Sequence, residues 1–170
     1  MSESITPWLH ILAITVWIGP QFFLFLAAIP AIRTIEDAQV RAQTLRTIVT
    51  RFGWIAWGAM AVIILTGISN LFQTGSDAPF SLWDSDYRWF RIFAEKMTLV
   101  GLAVALTAVH TFWVGPQQVR LAEQMDADPA AVRNARRLSI AISAAGLLAS
   151  IGALYLGVVL ADHEYTFVVD

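Results

Sequence analysis

"PWLHILAITVWIGPQFFLFLAAI", residues 7–29, decides the fold. It holds no Asp, Glu, Lys or Arg, and a helix needs about 20 apolar residues to cross a bilayer. It is too long for the apolar part of a signal peptide and lacks the basic stretch that precedes one, so it reads as a retained spanning helix. Three further runs have the same character: Phe52–Phe72, Ile92–Val114 and Leu138–Ala161. The expected spans are therefore 7–29, 52–72, 92–114 and 138–161. Together they predict an all-α, integral membrane, up-down-up-down four-helix bundle, with residues 1–170 as one membrane domain.

Composition agrees. Of the 170 residues, 57% are hydrophobic and only 14% charged, against about 25% charged in soluble domains. Mean hydropathy is +0.62. A net charge of −2 offers nothing to nucleic acid. There is no Cys, which excludes disulfides and thiolate-held metals. Membrane lipid is the one partner that composition implies.

Loop charge predicts sidedness. Arg33, Arg41, Arg46 and Arg51 follow the first run, and Arg120, Arg133, Arg136 and Arg137 the third. Neither terminal segment carries Lys or Arg. The expectation is a bacterial inner-membrane protein with both termini and the second loop on the periplasmic side. That loop adds an aromatic belt of Phe80, Trp83, Tyr87, Trp89 and Phe90. The arginine-rich loops read as helical extensions. Val40, Thr44, Ile48 and Phe52 recur on one side, and Asp128 with Pro129 makes a helix start.

Ionisable groups inside a membrane point to function. His10, Trp17 and Gln21 share one face of the first helix. Lys96 and His110 lie two heptads apart on the third. Lys96 either points inward or snorkels to the surface. His110 is either a ligand or relay, or a buried imidazole on a backbone carbonyl. His163, between Asp162 and Glu164, reads as a loose cation site or as a solvated terminus.

"WIGPQ" (17–21) returns as "WVGPQ" (113–117). If the copies mark equal depth, His10 and His110 lie about 6 Å apart along the bundle. If the outer helix ends are aligned instead, His10 is level with Glu95, Lys96 and His163, and His110 lies about 20 Å deeper. The second alignment is preferred. Pro20 is apolar-flanked on both sides, whereas "QQVRLAEQMDADP" follows Pro116 at once. Pro20 is then expected to kink the first helix in mid-membrane, and Pro116 to end the third at the cytosolic edge.

These segments resemble a known group. "HILAITVWIGPQF" (10–22) is similar to the first-helix pattern of membrane families around the copper-resistance protein D domain and the HemJ-type protoporphyrinogen oxidase. "TRFGWIAWGAMAVIILTGISN" (50–70) resembles their second helix, with Arg51-Phe52 and Thr66-Gly67. "RWFRIFAEKMTLVGLAVALTAVH" (88–110) resembles their third, with Lys96 and a polar residue fourteen on. Pro20 and Glu95 depart from the pattern, and the fourth helix is not part of the resemblance.

The HemJ-type resemblance implies a haem b protein in electron transfer or porphyrinogen oxidation, hence a possible oxidoreductase. It places the ligands at His10 and Lys96, the latter as amine. His110 and His163 are alternative second ligands, and Trp17 belongs to the cofactor wall. Arg51, or Arg88 and Arg91 at the outer end, would hold propionates. The copper alternative uses outer-side His10, Met97, Asp162, His163 and Glu164 for a periplasmic copper ion. A third reading is an accessory subunit of a larger membrane complex, or a homo-oligomer, with a porphyrin substrate or redox partner only in the haem case. No nucleophile triad or phosphate loop is present.

Overall fold

The computed structural model describes residues 2–78, 81–124 and 128–169. Phe80 of the expected aromatic belt lies outside them. Helix α1 (Ser2–Phe23) continues through a π-helical turn (Leu24–Ala28) into α2 (Ile29–Arg33). Helix α3 runs from Ala38 to Asp77. Helix α4 (Arg88–Val109) passes through a second π-helical turn (His110–Val114) into α5 (Gly115–Glu123). Helix α6 spans Pro129–Leu160, and a single turn, α7, covers His163–Thr166. Four stretches are long and apolar enough to cross a membrane: Ile5–Arg33, Ala38–Asp77, Arg88–Leu121 and Pro129–Leu160. They are called spans 1 to 4 below.

Spans 2 and 4 start well ahead of their apolar cores, and each start is capped. The Asp37 carboxylate accepts from the N–H groups of Gln39 (2.8 Å) and Val40 (3.0 Å). The Asp128 carboxylate accepts from Ala130 N–H at 2.9 Å, with Pro129 at the first helical position. Each cap satisfies donors that a helix start leaves bare, at about 1 kcal/mol. The expected helical extensions on the arginine side are therefore present.

Pro116 behaves differently from the expectation. The chain stays α-helical through Pro20. The irregularity comes later, where Ile29 N–H bonds Leu24 O five residues back, just ahead of Pro30. Span 3 repeats this, with Gly115 N–H on His110 O just ahead of Pro116. Proline lacks an N–H, and its ring crowds the carbonyl four residues back. Widening the preceding turn to an i−5 bond relieves that crowding. Span 3 does not end at Pro116 but continues through Glu123. The structural echo thus pairs Pro116 with Pro30, not with Pro20.

Spans 1 and 2 pack on each other along their length, as do spans 3 and 4, while the seam between these two hairpins is thin. Span 4 carries a stripe of small buried residues, Gly146, Ala149, Ser150 and Ala153, and its glycines lie against span 3, Gly146 on Leu106 and Gly157 on Lys96. Close approach of this kind drives helix association in lipid. Two apolar layers close the bundle. At mid-depth Trp17, Ile18, Ala56, Ala59 and Met60 pack with Val104 and Leu147 from the other hairpin. At the end that carries the termini, Leu82, Trp89 and Leu160 pack with Leu71, Phe93 and Phe167. The outward faces are apolar, with Leu26, Trp54 and Phe72 about three-quarters exposed, as lipid contact requires.

Candidate functional site

Between those two layers lies a polar stratum formed by His10, Thr66, Asn70 and Lys96. On span 2, Thr66 is buried, and its hydroxyl donates to Val62 O at 2.6 Å. That uses its one hydrogen. The same oxygen lies 2.8 Å from His10 Nδ1. With the hydroxyl hydrogen on Val62 O, Nδ1 is the donor of this pair and Nε2 keeps its lone pair. This is the arrangement by which a second hydrogen bond fixes the tautomer of a metal-ligating histidine.

Two glycines make room for the side chains. A Cβ on Gly67 would stand 3.2 Å from His10 Cε1. A Cβ on Gly157 would stand 3.4 Å from Lys96 Nζ. The Lys96 amine is therefore turned onto span 4 rather than drawn out along the surface. It lies within electrostatic reach of His10. One turn above Thr66, on the same face of α3, Asn70 Oδ1 is buried and has no hydrogen-bond partner among the described residues. An orphaned acceptor of this kind is rare and calls for a ligand or water.

His10 and Lys96 correspond by position. Each stands 20 residues ahead of the proline that follows a π-helical turn, Pro30 in one case and Pro116 in the other. Each also lies against a glycine of the next span in the chain, Gly67 or Gly157. The two hairpins thus present an imidazole and an amine from equivalent places.

The other sequence candidates are dispersed. Trp17 lies two turns below His10, and its indole N–H donates to Ser150 Oγ at 3.0 Å. His110 Nε2 lies 3.0 Å from Ser139 Oγ, a hydroxyl partner rather than the backbone carbonyl considered above. It is 14 residues, or about 21 Å, from Lys96 along span 3. Arg51 is 15 residues from Thr66 along α3, about 22 Å, on the groove between spans 1 and 2. Arg88 donates to Tyr165 O at 3.2 Å and lies 4.5 Å over the Tyr165 ring; Arg91 is exposed. His163 stacks on Phe167 at 4.3 Å, and Asp162 caps α7. Met97 is 46% exposed.

In the sequence Thr66 stood out only as part of the second-helix pattern, and Asn70 not at all. Their spacing of four, which puts both on one face of α3, was the available signal. Gly157, Ser139 and Ser150 carried none, because small residues look alike until the packing is known. Among the described residues no three His, Cys, Asp or Glu side chains converge on a metal position. The polar stratum itself offers an imidazole, an amine and an amide oxygen.

No curated protein and no solved structure was found to match the chain. The family model for Copper resistance protein D matches residues 46–160. That range contains Thr66, Asn70, Lys96 and both glycines, and leaves His10 outside. With more than half its length matched, this four-span membrane protein belongs to the Copper resistance protein D family.

Proposed function

We propose that the protein handles copper within the membrane, binding one ion at His10 Nε2 with Lys96 Nζ and Asn70 Oδ1 as further donors. The Thr66–His10 hydrogen bond carries this reading, because it holds one ring nitrogen and leaves the other as a ligand. Family membership supports it. So does the donor set. Nitrogen and oxygen donors suit Cu(II), which stands at the top of the divalent affinity order. Soft Cu(I) prefers thioethers, and Met97 is turned outward. With the arginine-rich loops in the cytosol, the site lies in the outer half and takes copper from the outer side.

A second reading has its own observation. An imidazole and an amine at corresponding positions of two hairpins suit the two axial positions of haem b. On this reading the chain would serve electron transfer or porphyrinogen oxidation.

One experiment decides between them: metal analysis, a visible spectrum and an electron paramagnetic resonance spectrum of detergent-purified protein, before and after copper loading. The copper reading expects one copper per chain, nitrogen hyperfine structure and loss of both in His10→Ala. A Soret band with one iron per chain replaces it with haem. A colourless protein that binds neither copper nor supplied haem rejects both, and leaves an accessory subunit.

A further inference from the structure

On the face that spans 1 and 2 turn toward lipid, a groove of about 340 Å³ runs between them. Pro20, Phe23 and Leu24 line one side, and Phe52 and Ile55 the other, with Arg51 among them. Arg51 is the last charged residue before the uncharged run 52–76 of α3. On span 1 its groove partners stand nine or more residues short of Arg33, the nearest charge. Its guanidinium thus sits against the apolar length of a neighbouring span, where an unpaired cation is costly. It is exposed, and nothing among the described residues hydrogen-bonds or ion-pairs with it. Arg33 and Arg46 stand toward the same end.

From this juxtaposition of an apolar groove and a lipid-facing guanidinium, we infer that spans 1 and 2 hold one anionic phospholipid of the arginine-side leaflet. An acyl chain lies in the groove against Phe23, Phe52 and Ile55. The phosphate meets Arg51 in charge-assisted hydrogen bonds, the fork geometry that guanidinium offers to phosphate. Basic sites between spanning helices on this side recognise anionic headgroups in this way. The inference is independent of the His10 stratum, which lies about 22 Å away along α3.

The test is native mass spectrometry with lipid extraction on full-length protein from nanodiscs of mixed phosphatidylglycerol and phosphatidylethanolamine. The wild type is expected to retain one phosphatidylglycerol per chain. Arg51→Gln is expected to lower that retention about tenfold, the loss of a charge-assisted pair. Ile55→Trp keeps the charge but fills the groove, and is expected to lower it as well. Helicity by circular dichroism checks that both variants fold. Added inorganic phosphate is expected not to displace the lipid; displacement means that Arg51 binds phosphate alone, and overturns the proposal. Equal retention of phosphatidylethanolamine, or undiminished phosphatidylglycerol in folded Arg51→Gln, overturns it too.

Discussion

The Trp17 indole N–H donates to Ser150 Oγ at 3.0 Å, and that hydroxyl donates onward to Gly146 O at 2.8 Å. The first of these bonds joins span 1 to span 4 across the seam between hairpins. It is buried at both ends, so water cannot replace it. Ser150→Ala leaves the indole N–H unpaired and is expected to destabilise the fold by about 1–3 kcal/mol. Trp17→Phe also removes apolar contact with Met60's layer and is expected to cost more. A double-mutant cycle read by denaturation in detergent checks this. Strict additivity would mean that the bond contributes nothing.

Thr66→Val keeps the shape of the side chain and removes the oxygen that fixes His10. Copper affinity is expected to fall about 10–100-fold, the usual loss for a residue that orients a metal ligand. Thr66→Ser is expected to restore most of it. Titration followed by the copper signal measures both. Equal affinity in all three proteins removes Thr66 from the site.

The two glycines are expected to differ. In Gly67→Ala the new methyl stands 3.2 Å from an imidazole already tied to Thr66, and the ring must shift by a few tenths of an ångström. In Gly157→Ala the methyl stands 3.4 Å from the tip of a flexible lysine, which moves aside with little strain. Gly67→Ala is therefore expected to weaken metal binding more than Gly157→Ala, while both proteins keep wild-type helicity. The reverse order would assign the more constrained donor to Lys96.

Legibility in the sequence divides along physical lines. Four spans, the Asp128–Pro129 start and the helical entry to span 2 were readable, because hydropathy and capping act within a few residues. The grouping of His10 with Lys96 was readable from depth alone. The π-helical turns before Pro30 and Pro116 were not, because the sequence does not say which turn will widen to accommodate a proline. Thr66 as the anchor of His10 was half legible, since a mid-span hydroxyl invites a partner without naming it. Ser150 and Gly157 were not legible, because their parts depend on which faces of span 4 meet spans 1 and 3.

At the end that carries the termini, the chain after span 4 is strapped down. Arg88 N–H donates to Val168 O at 3.0 Å, its guanidinium reaches Tyr165 O, and Thr166 is completely buried. Arg88→Ala is expected to speed amide hydrogen exchange in residues 163–169, and to leave exchange in the middle of the spans unchanged. Exchange that rises throughout would show that the strap holds the whole bundle rather than its own segment.

The thin seam between hairpins has a thermodynamic corollary. His10 belongs to one hairpin and Lys96 to the other, so an occupant held by both also ties the halves together. Whatever binds there and not to the separated halves raises the free energy of parting them by RT ln(1 + [L]/Kd). Occupancy and cohesion are then two readings of one equilibrium. Loss of the occupant would register as a loosened molecule, with no side chain changed.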